Sequence, residues 1–492
     1  MKMLALDASF IKEDLTKDFN GKNAIERIFE LAQNNKYDRY ILLQRGEISA
    51  VPEGIKNVVL KSDRARDILQ AVFDESRNCD DIIIFDAGNP FYDYEFVEEM
   101  LDRHNKFIAD FTYAMGYPDG LTPRIVKKEI IPEIVKLVEE DEAIERDWLF
   151  YSLSKDINSF DIETFLADVD LRLFRIKFGS NDVGERVFAV KLFKIFDNIP
   201  KIKEIERYLS ENASEIYTVP YMVSFELNSN PALESIYALP TEEPGSLLDV
   251  EVCKKAILQI KEINPDAAIL FGGRGEVFGH PGVFELIDFV STNGMRLILE
   301  SDGVSEVGDI IENLDKIDID KNSFFIVLRY DAYDETTYNK IRPDGNFGAL
   351  NALFAELTKK GYKTYKEVTR TLDNEVEIEK YIRNTDKDGN SEVDSLIIRK
   401  YSTYCGALPD KKVVDLSPLE RIPCFHLRRE IYVKSNADVP ICRYKPDWII
   451  GNIQTNSIGD IAKKLNDEYR KNSKLEYHEF CKNCDDYYIF NF

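Results

Sequence analysis

The chain has 492 residues, is 44% hydrophobic and 12% aromatic, and carries a formal net charge of −25 spread along its length. Such a length predicts two or three domains with packed cores, which excludes global disorder. An acidic surface of this size repels phosphate backbones, which argues against a nucleic-acid or anionic-membrane partner.

The opening residues, MKMLALDASF, read as a buried strand rather than a secretory signal, because an aspartate soon interrupts the apolar run. No apolar run approaches the length needed to span a bilayer, so a cytoplasmic protein is expected. Met3–Leu6, Tyr40–Leu43, Asn57–Leu60 and Ile82–Phe85 have the pattern of short strands. Ala24–Asn34 and Glu95–Ile108 have helical spacing, which together predicts an α/β layered unit over residues 1–200. Pro132–Asp147 is acidic with a helical period, and a solvated helix is expected there.

A second alternation begins near Val219. Strands are predicted at Tyr221–Leu227, Ala267–Phe271, Arg296–Glu300, Phe324–Arg329, Lys363–Thr369 and Ser395–Lys400. Helices are predicted between them at Val250–Ile263, Val283–Thr292, Val307–Leu314, Ala349–Lys360 and Val376–Arg383. Six strands separated by helices predict right-handed βαβ units in a parallel sheet or partial barrel. Active sites in such sheets lie on the loops beyond the strands' C-terminal ends. The loop after the first of these strands reads Asn228-Ser229-Asn230-Pro231.

The residues Tyr221–Asn228, the loop, and Ile269–Pro281 (ILFGGRGEVFGHP) together resemble the radical S-adenosylmethionine (radical SAM) superfamily. Leu328–Gly345 resembles that family's stretch after the fourth strand, and Ser301-Asp302-Gly303 stands where a Thr-Asn-Gly is common. The resemblance implies a radical SAM-like partial (βα)6 barrel over 215–400. In the family, a Cys-x3-Cys-x2-Cys loop binds three irons of a 4Fe–4S cluster, and the fourth iron chelates SAM. Gly273, Gly275 and Glu276 match the Gly-Glu motif that holds the methionine end of SAM, with Val277 in place of the usual proline. The three cysteine positions are Asn230, Glu234 and Tyr237. An amide, a carboxylate and a phenol are poor substitutes for three soft thiolates, so a vestigial SAM site without SAM cleavage is expected.

Beyond residue 400 the composition shifts to turns and aromatics. Cys424 and Cys442, followed by Gly451-Asn452 and a Cys-x2-Cys at Cys481 and Cys484, supply four thiolates. That number suits one iron–sulfur cluster or tetrahedral zinc. The stretch resembles the SPASM domain, the C-terminal extension of many radical SAM enzymes that modify peptides and proteins, with Ala437 where a glycine is usual. The resemblance implies a SPASM domain over 401–492 holding one 4Fe–4S cluster on Cys424, Cys442, Cys481 and Cys484. His426 and His478 are expected to pack rather than to ligate, and Cys79, Cys253 and Cys405 to be small buried residues. Cys405, in a Tyr-Cys-Gly just before this segment, is the one of the three to follow.

Toward the N-terminus, Gly21–Arg27 (GKNAIER), Ile84–Asp93 and Ala109–Gly120 resemble nucleotidyltransferases with a glycosyltransferase-A-like (GT-A-like) fold. Lys22 and Asp86 match the family's lysine and metal-assisting acid. The early loop, LDASFIKEDL, has no glycine to bring backbone amides against a phosphate, so a degenerate domain over 1–200 is expected. The whole arrangement resembles the spiro-SPASM proteins of spirochetes. The leading expectation is a cytoplasmic iron–sulfur pseudoenzyme that recognises or positions a peptide or protein substrate. The alternatives are a nucleotidyl- or glycosyl-transferase-like enzyme using Lys22 and Asp86, SAM chemistry without the usual cluster, and a zinc-stabilised interaction scaffold.

Overall fold

The structure, a computed structural model, describes residues 1–486 except 12–14, 16, 20, 47–50, 141, 145–146, 180–181, 197, 217–218, 231–232, 239–244, 305, 389–394, 414–420 and 422. The chain divides into two compact units, residues 1–218 and 219–492. Among the described residues no helix is long and apolar enough to cross a membrane.

The first unit is built on a seven-stranded mixed sheet. Its strands are β1 (Lys2–Asp7), β2 (Arg39–Gln44), β3 (Lys56–Val59), β4 (Asp81–Asp86), β5 (Phe111–Met115), β6 (Arg124–Lys127) and β7 (Ile162–Leu166). They lie in the order 3-2-1-4-6-5-7, and β6 runs antiparallel to both of its neighbours. The apolar runs of β1 and β4 are buried on both faces, as helices on either side of a parallel sheet require. Leu4, Leu6, Ile83 and Phe85 pack into one core, while Met3, Ala5, Ile82 and Ile84 pack into the opposite one. This is the two-residue alternation of a strand with two covered faces. The helix Ala24–Ala32 starts at a capping box in which Asn23 Oδ1 accepts from the Glu26 amide (2.9 Å) and Glu26 accepts from the Asn23 amide (3.0 Å). The solvated helix expected over Pro132–Asp147 is corrected: helix spans only Ile131–Leu137, and Val138 is extended and buried. The acidic run had the helical period, but beyond the buried Ile134 its next buried residue, Val138, is drawn into the core in an extended conformation.

The second unit carries a seven-stranded sheet, parallel at every junction. Its strands are β8 (Met222–Phe225), β9 (Ala268–Phe271), β10 (Arg296–Ser301), β11 (Phe324–Arg329), β12 (Lys363–Arg370), β13 (Leu396–Lys400) and β14 (Glu430–Val433). The order is 13-12-11-10-9-8-14. The first six follow the chain one by one, which is the layout of successive right-handed βαβ units. Helices Val250–Ile263, Val283–Thr292, Val307–Leu314, Phe347–Lys359 and Glu375–Asp388 connect them. The seventh strand, β14, comes from the C-terminal segment and pairs with β8 through Glu430↔Met222 to Val433↔Phe225. A short antiparallel pair, β15 (Asp438–Pro440) and β16 (Ile449–Asn452), and the helix Ile458–Ser473 complete the unit. Val433, Val439, Ile461, Leu465 and Tyr469 belong to the same core as Val223, Phe225 and Ile257. The stretches 215–400 and 401–492 therefore share one hydrophobic interior.

Candidate functional site

At the C-terminal ends of β10 to β13 the second unit opens into a cavity of about 510 Å³. Charged residues on the C-terminal halves of the strands gather here: Glu300 on β10, Arg329 on β11, Glu367 on β12 and Arg399 on β13. Register sets them side by side, with Arg329 opposite Glu367. Arg399 donates from Nη2 to Glu300 Oε1 (2.8 Å) and lies 2.5 Å through Nε from Glu367 Oε2. Arg342, reaching back from the helix Glu335–Ile341, donates to Asp331 Oδ2 (2.8 Å) and Asp302 Oδ1 (2.6 Å). Two further arginines approach more loosely. Arg329 stands 3.6 Å from Asp302 and 4.0 Å from Glu300, and Arg443 stands 3.9 Å from Glu300.

Burial works against charge on Glu300, yet Arg399, Arg443 and Arg329 together hold its carboxyl below the usual carboxylate range. Glu367 goes the other way: burial lifts it, against the pull of Arg399. The physical distinction is that Glu300 is faced by three guanidinium groups. A buried network of this kind stands only when its donors and acceptors are matched.

The residues expected to form a vestigial SAM site relate differently to this cavity. Gly273, with φ +107°, lines it. Gly275 is pressed onto the neighbouring loop, where a Cβ would lie 1.8 Å from the Asn228 carbonyl oxygen. Glu276 is buried and engaged, accepting from Ser301 Oγ (2.7 Å) and from the Asp302 amide (2.7 Å). Its carboxyl is raised by burial and by the nearby Asp302. Of the three positions that the resemblance aligns with cysteines, Asn230 is exposed and its backbone carbonyl accepts from the Glu276 amide (3.1 Å). Glu234 is exposed on the cavity rim, and Tyr237 is buried with its hydroxyl 2.6 Å from Thr371 Oγ1.

The C-terminal cysteines come from separate places. Cys424 caps the start of the short helix Phe425–Arg429, its amide donating to Asn472 Oδ1 (2.9 Å). Cys442 follows β15, and Cys481 lies in the short helix Glu479–Lys482, with Cys484 just beyond. Arg421 donates to the carbonyls of Cys481, Lys482 and Cys484 and pins that turn. Burial raises the Cys442 thiol well above its ordinary value, and Cys424, Cys484 and Cys481 raise it further, so the four sit within electrostatic reach of one another. Cys481 is pushed up to about 12, first by burial and then by Cys424 and Cys484. Cys405, half-buried, hydrogen-bonds Cys484 and is thus a neighbour of the set, not an isolated core residue. Among the described residues no three His, Cys, Asp or Glu side chains converge on a single ion-sized point. His426 is held between Glu430 Oε2 (2.6 Å) and Asp486 Oδ2 (2.5 Å), and His478 binds Glu468 Oε2 (2.6 Å). Both rings are engaged by carboxylates.

In the first unit, Asp7 and Asp86 are register partners at the ends of β1 and β4. Asp7 accepts from Ser9 and from Trp148 Nε1 (2.8 Å), and Asp86 accepts from the Gly88 amide (3.2 Å) in a buried turn. Lys22 is exposed and paired with Glu30. In the glycine-free loop, Lys12, Glu13 and Asp14 lie outside the described residues.

Comparison with known proteins adds one domain assignment. Residues 424–485 match the model of SPASM, an iron–sulfur cluster-binding domain. The chain is also similar to an uncharacterised protein of Treponema pallidum (strain Nichols), 25% identical over 366 residues, covering 70% of this chain and 99% of that protein. Among solved structures it is similar to Streptococcus suis SuiB bound to the precursor peptide SuiA, with a TM-score of 0.43 and 13% identity, over 63% of this chain and 85% of that one. It is similar as well to BtrN in complex with AdoMet and 2-DOIA (TM-score 0.34, 16% identity, 54% of this chain, 93% of that one). A third is anSMEcpe with bound AdoMet (TM-score 0.40, 16% identity, 55% of this chain, 84% of that one).

The charged cavity was not singled out by sequence reasoning. Its signal was present only in part: Glu300 and Arg329 close the predicted strands Arg296–Glu300 and Phe324–Arg329, while Glu367 and Arg399 fall inside theirs. A charge closing an apolar strand reads equally as the start of a solvated loop, and only the barrel's curvature turns these inward.

Proposed function

We propose that this chain is an iron–sulfur protein of radical SAM/SPASM descent whose C-terminal segment holds one 4Fe–4S cluster and whose central sheet no longer cleaves SAM. The observation that carries the reading is the gathering of Cys424, Cys442, Cys481 and Cys484 within the segment that matches SPASM. The donor set fits: four thiols, mutually repelling once ionised, gain a common counter-charge from a bound metal group. Bound there, a cluster would supply a structural tie and an electron reservoir. Arg421, Asn472 and the Cys-x2-Cys helix hold the ligand backbone in place.

Loss of SAM cleavage is supported by the first loop. Asn230, Glu234 and Tyr237 offer no thiolate, and Tyr237 is committed to Thr371. The first unit is a degenerate nucleotidyltransferase-like domain in this reading, supported by the pairing of Lys22 with Glu30 and the closed turn over Asp86. The protein works in the cytoplasm, recognising or positioning a peptide or protein substrate.

Anaerobic purification followed by iron and sulfide analysis, with absorption spectra before and after dithionite, tests the metal. About four irons and four sulfides per chain, bleached on reduction, are expected. Full zinc occupancy without visible absorption after reconstitution overturns the iron assignment in favour of a zinc-stabilised scaffold. Formation of 5′-deoxyadenosine above a protein-free control overturns the loss of SAM cleavage. Magnesium-dependent micromolar binding of CTP or UTP, abolished by Asp86→Ala, would restore the transferase alternative.

A further inference from the structure

We propose that the cavity at the ends of β10–β13 binds a small molecule through an oxyanion, a carboxylate or phosphoryl group seated on Arg329 and Arg443. These two arginines differ from the others in the cavity. Arg342 and Arg399 each bind two carboxylates closely, so their forks are filled. Arg329 and Arg443 make ion pairs only at 3.6–4.0 Å, too long for hydrogen bonds. The Nη2 group of Arg329 is buried without a hydrogen-bond partner. A buried donor left in that state is costly, so the site is poised to accept what would satisfy it. The guanidinium fork matches carboxylate and phosphate oxygens in bidentate fashion.

The local charge favours the same class of ligand. In a chain of net charge −25, three guanidinium groups converge on the single carboxylate of Glu300. Glu367, the other acid beside Arg399, has its charged form disfavoured by burial. The anion would therefore settle where positive charge is in excess, between Arg329 and Arg443. A volume of about 510 Å³ leaves room for a metabolite-sized body behind that group. Tyrosines supply its walls: Tyr404 and Tyr444 pack edge to face at 5.3 Å, and Tyr432 lies under Arg443. The inference does not rest on the cluster assignment, since none of the four cysteines lines the cavity.

Titration of the full-length protein with inorganic phosphate and, separately, with succinate at constant ionic strength tests this. Binding by calorimetry and a rise in the unfolding midpoint are expected with at least one of them; the one preferred identifies phosphoryl or carboxylate as the group recognised. Arg329→Gln and Arg443→Gln should each weaken that binding tenfold or more, and Arg207→Gln, on the exposed surface of the first unit, should leave it unchanged. Arg443 neighbours Cys442, so Arg329→Lys serves as the second variant: it keeps the charge, loses the fork, and should fold normally yet bind at least fivefold more weakly. No response to either anion up to 20 mM, or unaltered binding in a folded Arg329→Lys protein, overturns the proposal.

Discussion

Two loop systems of the second unit differ in the donors they carry. The loop after β8 offers an amide, a carboxylate and a phenol at Asn230, Glu234 and Tyr237, the phenol lying 2.6 Å from Thr371 Oγ1. In the C-terminal segment the thiols persist while the chain between Cys442 and Cys481 carries β16 and a sixteen-residue helix. Spacing alone is therefore no guide to a metal centre. What matters is whether the donors are soft and whether the fold turns them toward one another. Near the first loop, arginines and carboxylates line the cavity at the ends of β10 to β13.

The largest expected effect breaks the comparison at its metal end. Replacing Cys481 and Cys484 together by Ala should abolish iron binding and open residues 401–492 to proteolysis while the first unit resists, as limited digestion with mass spectrometry would reveal. Because β14 comes from this segment and pairs with β8, fragments should also arise near Met222–Phe225. If digestion and iron content are unchanged, the cysteines are not a metal site.

At the other loop, Gly275→Ala drives a Cβ into the Asn228 carbonyl, where 1.8 Å separates them. A destabilisation of about 3 kcal/mol is expected from urea unfolding of the second unit, since backbone rather than a side chain must move. A cost below ~0.5 kcal/mol would mean that the two loops are not in register as described. Tyr237→Phe should cost less, about 1 kcal/mol, by removing the bond to Thr371. No cost would show that this position is not structurally committed and would reopen the cluster-loop question.

The smallest effect is a pH dependence. Glu377 is pushed up to about 7, mainly by burial, although the Tyr333 and Asp334 amides that it accepts from pull downward. Its folded pKa lies above the unfolded value, so the folded state holds the proton more tightly. That contribution is full below the unfolded pKa and is lost as pH rises through the folded one. Solvent screening of this half-buried group reduces the loss to about 1 kcal/mol between pH 5 and 7.5. Glu377→Gln should flatten that part of the profile relative to wild type; identical profiles would remove Glu377 from the account.

Periodicity alone placed much of the chain. Val250–Ile263, Val283–Thr292 and Val307–Leu314 form as helices with the bounds that their apolar spacing predicted, and six central strands appear within a residue or two of expectation. Each is a local pattern of sufficient length, with its caps in sequence: Asp249 before the first helix and Gly294 just beyond the second. β14 and the antiparallel β6 escaped: each is short, lies outside the βα alternation and pairs with a remote partner. The four cysteines were legible as a set because their residue type is rare and chemically specific.

What the sequence by itself determined, then, was the βα alternation, a loop after β8 with no thiol, and four cysteines near the C-terminus. Tertiary structure alone decided that Glu300, Arg329, Glu367, Arg399 and Arg443 share one cavity. These five residues span more than a hundred positions, and nothing local in the sequence links them. Only the parallel stacking of β10 to β13, which aligns their C-terminal ends, makes neighbours of Glu300, Arg329, Glu367 and Arg399, and only the curve of the sheet turns their charges inward.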